Sequence, residues 1–141
     1  MDNFYASLLA DESLKKYFLN VNVELLKWHQ YNFMSFAFTE IPEGIDVVHL
    51  VSSKHARLFD EGLSEKEFDI VAGHFVSVLQ GLGVKQELID EAVTVIVPLR
   101  PIFEEGAKKA KARKTKKMGA AVAVAVALVA VVLGGVAKYY L

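Results

Sequence analysis

Two of the four histidines in this chain lie close together, in the stretch VVHLVSSKHARLF from Val47 to Phe59. An α-helix turns by about 100° per residue, so His49 and His55, six positions apart, point about 120° away from each other. They therefore cannot bind one metal ion from the same helix face. His55 alone falls in line with the apolar residues of the stretch, which are Val48, Val51, Leu58 and Phe59.

A histidine on an apolar helix face has two readings, and its spacing leaves both open. His55 is either a buried neutral imidazole that hydrogen-bonds to a backbone carbonyl, or a metal ligand. The chain has no cysteine, which excludes disulfides, thiolate metal sites and cysteine nucleophiles. Local zinc spacing, Gly-rich phosphate loops and a Ser/His/Asp signature are also missing from the sequence. A single protein ligand in an aromatic-rich pocket fits haem, because the porphyrin supplies four further nitrogens.

The opposite wall of such a pocket is predicted on other helices. After Asn22 the apolar residues recur with helical spacing, and one face of that helix offers Leu26, His29, Gln30 and Phe33. An earlier helix offers Tyr5. These residues would make an apolar slot with hydrogen-bonding groups on the wall that faces the possible metal ligand.

Helices are the elements that must position these residues. Apolar spacing over the first 105 residues is helical almost throughout, with no convincing alternating strand and only three prolines in the chain. The sequence therefore predicts an all-α fold. Asn22 is placed to cap a helix, Ser64 and Glu67 match a capping box, and Pro98 and Pro101 are expected to interrupt the last helix of this part.

The charge of the chain divides sharply near Gly106. All 17 acidic residues lie before it with only eight of the 16 basic ones, which gives this part a net charge of about −9. From Gly106 onward there is no acid, and a dense basic run follows. That run consists of Lys108, Lys109, Lys111, Arg113, Lys114, Lys116 and Lys117. The division predicts a tail with its own electrostatic partner.

Residues 119–137, GAAVAVAVALVAVVLGGVA, carry no charged or polar side chain. At about 1.5 Å per residue, a helix of this length nearly crosses a hydrocarbon core about 30 Å thick. A lone strand is disfavoured there, because its backbone groups would be unpaired in lipid. With the basic run before the span and only Lys138 after it, the positive-inside rule places the N-terminal body in the cytosol. The predicted topology is tail-anchored.

The sequence thus predicts four parts along the chain. They are a haem domain at 1–107, a basic juxtamembrane linker at 108–118, a transmembrane helix at 119–137 and a short far-side tail at 138–141. The basic run is read as a topogenic flank, with attraction to anionic lipid as the alternative. No nucleic-acid partner is expected, because the run abuts the apolar segment and lacks interleaved aromatic residues.

The ordered stretches of the body resemble a group 1 truncated haemoglobin, a two-on-two helical sandwich that holds haem between helices B/E and F/G. The matching stretches span most of residues 2–100. They are DNFYASLLADESLKKYF, NVELLKWHQYNFM, KHARL followed by GLSEKEFDIVAGHF, and LGVKQELIDEAVTVIVPLR. The chain departs from the family in starting after the usual short first helix, in having one glycine in TEIPEGID, and in its predicted C-terminal anchor.

The resemblance implies a role for each residue at a matched position. His55 matches the proximal haem ligand, and Tyr5 matches the helix B tyrosine whose hydroxyl donates a hydrogen bond to bound dioxygen. Gln30 matches a helix E residue that can share that task. Leu26 matches the position where ordinary globins place the distal histidine, so the pocket would rely on Tyr5 and Gln30.

Four further residues have weaker counterparts. Phe18 matches the phenylalanine that packs on the haem face, and Phe33 matches a helix E aromatic associated with access to the pocket. His29 matches a position that supplies a second iron ligand in some cyanobacterial relatives, with a place at the solvent edge or near a haem propionate as the alternative. His74 matches a helix G position that is expected to be structural.

The leading hypothesis is a membrane-anchored haem protein with His55 on the iron, which binds dioxygen, NO or CO for oxygen binding, transport or sensing. NO detoxification to nitrate is a possible enzymatic activity, and it would need an external reductase. The first alternative is a redox or electron-transfer protein with His55 and His29 both on iron. The second is a haem-free, tail-anchored helical adaptor.

Overall fold

A computed structural model describes the backbone of the chain at residues 1–39 and 43–140, and the side chains of these residues except 36, 37 and 126–140. The six α-helices of the described backbone are α1 (Asp2–Ala10), α2 (Val23–Phe38), α3 (Val47–Asp60), α4 (Glu65–Gly81), α5 (Gln86–Ile96) and α6 (Arg100–Tyr140). Two short 3-10 turns, Lys15–Phe18 and Val97–Leu99, precede α2 and α6 respectively. The described backbone contains no strand, which confirms the all-α prediction.

Side-chain caps explain where three of the helices begin. The Asn22 side chain accepts a hydrogen bond from the backbone N–H of Leu25 at 3.0 Å, at the start of α2. Asp46 caps α3 in the same way. Ser64 and Glu67 form the predicted capping box at the start of α4, where the Ser64 N–H donates to the Glu67 carboxylate at 2.8 Å. The predicted caps of α2 and α4 are therefore confirmed.

Glycine and proline set the ends of the helices that follow. Gly62 and Gly83 have φ values of +103° and +74°, in the left-handed region that other residues rarely enter, and they lie just beyond α3 and α4. The 3-10 turn at Val97–Leu99 contains Pro98, and Pro101 is the second residue of α6. The predicted interruption of the last helix at these prolines is confirmed.

The chain divides into two compact units, Met1–Ala107 and Lys108–Leu141. The first unit contains α1 to α5, where α4 packs against both α1 and α5. In the second unit, the described residues belong to α6, and the basic side chains from Lys111 to Lys117 are exposed.

The predicted membrane span is only partly covered by the described side chains. Among residues whose side chains the structure describes, no helix is both long enough and apolar enough to cross a membrane. Residues 126–137 of the predicted span lie outside that part of the chain.

Candidate functional site

Helix α3 fixes the orientation of the His55 imidazole. The Nδ1 atom lies 2.8 Å from the carbonyl oxygen of Val51, one turn earlier on the same helix. A carbonyl oxygen can only accept, so Nδ1 carries the hydrogen and donates it, which leaves the lone pair on Nε2. Burial lowers the pKa of His55, which favours the neutral ring. The result is a neutral imidazole whose Nε2 is able to bind a metal.

Aromatic rings surround that imidazole, and we call His55, Phe59, Phe68 and Phe103 the His55 cluster. The His55 ring lies 5.1 Å from the ring of Phe103 and 6.3 Å from that of Phe59, between ring centroids. Phe103 also contacts Phe59 at 5.9 Å and Phe68 at 5.0 Å. Residues from α3 and the start of α6 therefore contact the imidazole, and Phe68 of α4 packs against Phe103. Sequence reasoning missed Phe103, whose part depends on how α6 packs against α3.

The buried apolar face of α3 is narrower than the sequence predicts. Val51 and Phe59 are buried on it, as predicted. The prediction that Val48 lies on the buried face is wrong, because its side chain is 60% exposed. His49 lies on the other side of the helix with an exposed side chain, and its backbone N–H donates to the Asp46 cap. The structure therefore separates the two histidines of the stretch, because only His55 is partly buried and contacts aromatic rings.

A second cluster surrounds Tyr5, and we call Phe4, Tyr5, Leu8, Leu14, Phe18 and Leu26 the Tyr5 cluster. The first four are buried, and the last two are partly buried and pack against them. The Tyr5 ring makes edge contacts with Phe4 at 5.6 Å and Phe18 at 6.3 Å. The structure thus brings together three of the residues singled out in the sequence, namely Tyr5, Phe18 and Leu26.

Burial, and not a polar partner, determines the pKa of the Tyr5 hydroxyl. Its side chain is 4% exposed, and burial raises its pKa to about 12. No hydrogen bond contributes to that shift. The hydroxyl therefore keeps its proton at all ordinary pH values, and it is available as a donor to a polar group that enters the cluster.

One face of helix α4 carries a residue of the His55 cluster and a residue that contacts the Tyr5 cluster. Phe68 belongs to the His55 cluster, whereas Phe75 contacts Phe4 at 6.0 Å and stacks on Phe38 at 6.4 Å. Seven residues correspond to nearly two full turns, so Phe68 and Phe75 point in almost the same direction about 10 Å apart along the axis. The two clusters therefore lie one after the other along α4.

The remaining predicted residues of α2 lie at different depths. Gln30 and Phe33 are half-buried, one and two turns after Leu26. His29 is exposed, and its ring contacts the exposed Trp28 at 5.1 Å. Within the described residues, no hydrogen bond or ring contact joins His29 to His55. The role of His29 as an iron ligand stays a prediction.

Two polar features of the described residues, one contact and one hydroxyl without a partner among them, were not predicted. His74 on α4 contacts the Asp11 carboxylate through Nε2 at 2.8 Å, and both side chains are about one-quarter exposed. This contact gives His74 the structural role that was expected of it. The hydroxyl of Tyr17 is buried, and no hydrogen-bond partner for it lies in the described part of the chain. No local pattern signals either feature, because each depends on tertiary packing.

The donor set fits one kind of metal site. Among the described residues, no group of three or more His, Asp or Glu side chains could hold a metal ion. His55 offers one nitrogen in an aromatic surround, and such a single ligand fits iron that a porphyrin already holds. The hydrogen bond from Nδ1 to a carbonyl is the second-sphere contact that metal-binding histidines usually make.

Curated relatives cover most of the chain. The chain is 31% identical over 106 residues to the group 1 truncated hemoglobin GlbN of Mycolicibacterium paratuberculosis, and the match covers 75% of this chain and 74% of that protein. It is 31% identical over 98 residues to the GlbN of a Synechocystis species, with 67% and 76% covered. No family model matches the chain. These relatives are similar enough, over enough of their length, that the chain belongs to the group 1 truncated haemoglobin family.

Solved structures lead to the same family. The crystal structure of Chlamydomonas reinhardtii THB4 has a TM-score of 0.65 and 38% identity, and the match covers 73% of this chain and 82% of that one. A 2/2 hemoglobin from a Synechococcus species, solved in the cyanomet state with covalently attached heme, has a TM-score of 0.62 and 32% identity. That match covers 72% of this chain and 84% of the other. The truncated-globin fold predicted from the sequence is confirmed.

Proposed function

We propose that this chain is a haem protein that binds dioxygen or another diatomic gas, with His55 as the proximal iron ligand. The observation that carries the proposal is the hydrogen bond from His55 Nδ1 to the Val51 carbonyl, because it leaves Nε2 as the free donor. Haem is the cofactor of the family, and the single nitrogen donor and the aromatic surround of this chain suit it.

Haem supplies an iron atom that binds diatomic gases, and the chain supplies the ligand and its surroundings. Nε2 of His55 would hold the iron, and Phe59 and Phe103 would shield the imidazole from water. A neutral ring is required for this bond, and burial keeps His55 in that form by lowering its pKa.

Tyr5 acts on the gas rather than on the iron. Its hydroxyl stays protonated, because burial raises its pKa to about 12, so it can donate a hydrogen bond to a polar ligand such as dioxygen. Leu26 and Phe18 pack around it and exclude water. Gln30 on α2 is the proposed second donor, in the role that its matched position has in the family.

Absorption spectra of the full chain, reconstituted with haem in mild detergent, test this proposal. We expect a Soret band that His55→Ala removes or shifts, because the iron loses its only proposed protein ligand. The matched control is His49→Ala, which removes an exposed imidazole from the same helix. Absence of a Soret band, or equal spectra for His55→Ala and the wild type, would contradict haem binding through His55 and would favour a haem-free adaptor.

Coordination by a second histidine is tested in the same preparation. His29 is exposed beside Trp28, so we expect five-coordinate ferrous iron. A six-coordinate low-spin ferrous spectrum that becomes five-coordinate in His29→Ala would instead establish the bis-histidine redox protein. The matched control is again His49→Ala.

NO dioxygenation is the enzymatic activity that we propose for the site. Conversion of NO and dioxygen to nitrate consumes one electron, so turnover requires an external reductase. Stopped-flow mixing of NO with the reduced, oxygenated chain should yield one nitrate per haem, and continued turnover only when a reductant is supplied. Formation of nitrate by the His55→Ala variant at the wild-type rate would contradict a role of this site.

We further propose that the C-terminal segment anchors the globin body to a membrane, with the body facing the cytosol. Support comes from the apolar run at 119–137 and from the seven bases between Lys108 and Lys117 that precede it. Alkaline extraction of membranes from cells that express the full chain is the test. The chain should stay with the membranes, whereas a chain that ends before Gly119 should be released. Release of both would contradict the anchor.

A further inference from the structure

The ring of Phe59 lies directly against Gly106, in the second turn of α6. A Cβ atom at position 106 would overlap three carbon atoms of that ring. Gly106 is helical and does not have a positive φ, so its backbone conformation does not require glycine. Glycine is also one of the least favourable residues in a helix interior. The reason for glycine at this position is therefore the space that the Phe59 ring occupies.

Phe59 cannot yield that space without moving its neighbours. Its side chain is 5% exposed. Its ring also contacts Phe103 at 5.9 Å and His55 at 6.3 Å, between ring centroids. Phe103 and Gly106 are three residues apart on α6, so the ring of Phe59 fits into the notch between them. A side chain at 106 would therefore displace the ring that contacts Phe103 and His55.

Within the described part of the chain, two kinds of contact set the orientation of the His55 imidazole. The hydrogen bond from Nδ1 to the Val51 carbonyl holds one edge of the ring. Contacts with Phe59 and Phe103 limit rotation of the ring plane, since the Phe103 ring stands at 62° to it and the Phe59 ring at 38°. Displacement of Phe59 therefore acts on the same ring that carries the free Nε2 atom.

We propose that Gly106 is a positioning residue for His55. By admitting the Phe59 ring, Gly106 sets where Phe59 and Phe103 hold the imidazole, and thus the direction in which Nε2 points. This inference rests on the proposed function, in which Nε2 binds the haem iron. It assigns the strength of the iron–histidine bond, and with it the affinity for gases, in part to a residue that touches neither the iron nor its ligand.

The test compares Gly106→Ala with Gly73→Ala in the full chain. Gly73 lies in α4 with open space around the position of its Cβ, so the control has the same chemical change without the overlap. Resonance Raman spectra of the ferrous, gas-free protein give the iron–histidine stretching frequency, and flash photolysis gives the rate of CO binding. We expect a shifted frequency and a CO rate changed by about tenfold in Gly106→Ala, the size of effect that second-sphere residues have on metal sites. Gly73→Ala should match the wild type.

A double-variant comparison separates positioning from a general loss of packing. Phe59→Val removes the ring atoms that the new methyl group would overlap. In the Phe59→Val background, adding Gly106→Ala should therefore leave the iron–histidine frequency unchanged. The proposal is overturned if Gly106→Ala has the wild-type frequency, or if it causes the same shift in both backgrounds. Should Gly106→Ala fail to fold, the double variant must fold, and its failure would also overturn the proposal.

The apoprotein distinguishes failure of this inference from failure of the proposed function. Nitrogen-15 NMR of the full chain, labelled at histidine in detergent, reports the state of Nδ1 and Nε2 of His55 without haem. Gly106→Ala should change the His55 signals and leave those of His49 and His29 in place. A change in these signals without a His55-dependent Soret band would leave the positioning contact standing and would reject the haem function. Unchanged signals would reject the positioning contact.

Discussion

The His55 cluster and the Tyr5 cluster each hold one polar side chain among aromatic rings, yet they treat the polar atom differently. In the first, Nδ1 of His55 donates to the carbonyl of Val51 at 2.8 Å, a partner from the same helix. In the second, the Tyr5 ring makes edge contacts with Phe4 and Phe18, and no hydrogen bond contributes to the raised pKa of its hydroxyl. One polar atom has a hydrogen-bond partner on its own helix, and the other is the proposed donor to a bound ligand.

This difference indicates that the His55 cluster and the Tyr5 cluster have different roles. A hydrogen bond one turn back along a helix fixes the tautomer of His55 whether or not a cofactor is bound. Burial keeps the Tyr5 hydroxyl protonated, so it can donate a hydrogen bond when a polar ligand accepts it. We therefore expect the His55 cluster to resemble ordinary core in its response to substitution, and the Tyr5 hydroxyl to contribute little to stability near neutral pH and to favour ligand binding.

The largest expected effect comes from removing the central ring of the His55 cluster. Phe103 is 8% exposed and contacts three other rings, so Phe103→Ala should lower the free energy of unfolding of the apoprotein by about 3–5 kcal/mol. Chemical denaturation followed by circular dichroism measures this loss. Phe18→Ala is the matched variant of the Tyr5 cluster. Because Phe18 is only half-buried, its loss should be smaller, and equal losses would contradict the comparison.

Alkaline pH should destabilise the fold through Tyr5. Its folded-state pKa is raised to about 12 from an ordinary value near 10. Between these two values the unfolded chain releases the proton while the folded chain keeps it, so folding stability falls as pH rises. A shift of about two units corresponds to about 2–3 kcal/mol lost across that interval.

Tyr5→Phe provides the control for this pH dependence. The variant lacks the titrating hydroxyl, so its stability should fall less between pH 10 and 12, and the difference between the two proteins isolates Tyr5 from the other tyrosines and the lysines. Near pH 7 the variant should be about as stable as the wild type, since no hydrogen bond of the Tyr5 hydroxyl is lost. A marked loss of stability at pH 7 would show that the hydroxyl has a partner in the folded protein.

Tyr5→Phe should also weaken the binding of dioxygen. Loss of the hydrogen bond from the Tyr5 hydroxyl should speed the dissociation of dioxygen by about tenfold or more, given about 1.5–3 kcal/mol for a hydrogen bond to a charged acceptor. Stopped-flow replacement of dioxygen by CO measures the rate. Carbon monoxide forms a less polar adduct, so its own dissociation should change less. Equal changes for both gases would indicate that Tyr5→Phe alters the shape of the pocket rather than a hydrogen bond.

The features that could be predicted from the sequence are those encoded locally. The caps at Asn22 and Ser64 depend on residues three positions away, and the place of His55 on a buried stripe depends on helical periodicity. Periodicity does not give the width of the buried face of a helix. The prediction for Val48 was therefore wrong, because the neighbouring elements leave its side chain exposed. The notch at Gly106 could not be predicted, because Phe59 and Gly106 are far apart in the sequence.

The contact between His74 and Asp11 is the clearest tertiary feature that the local sequence does not reveal, and it gives the smallest expected effect. It joins α4 to the turn after α1, next to the Tyr5 cluster, and spans 63 residues of sequence. Hydrogen bonds from the Ser13 hydroxyl, His74 and the Ser13 backbone hold the pKa of Asp11 at about 2. The carboxylate therefore contributes stability above its ordinary pKa near 4, and this contribution is lost as pH falls toward 2.

Asp11→Asn should lower the melting temperature of the apoprotein at pH 7, by less than Phe103→Ala does, and the difference from the wild type should vanish near pH 2. Because this contact lies outside the aromatic enclosure of Tyr5, the dioxygen dissociation rate of the reconstituted protein should stay at the wild-type value. Glu12→Gln, an exposed carboxylate at the next position, is the matched control and should leave the melting temperature unchanged. A change in the dioxygen rate in Asp11→Asn would show that the turn after α1 sets the position of Tyr5, so that the hydroxyl would depend on a tertiary contact as His55 depends on its own helix.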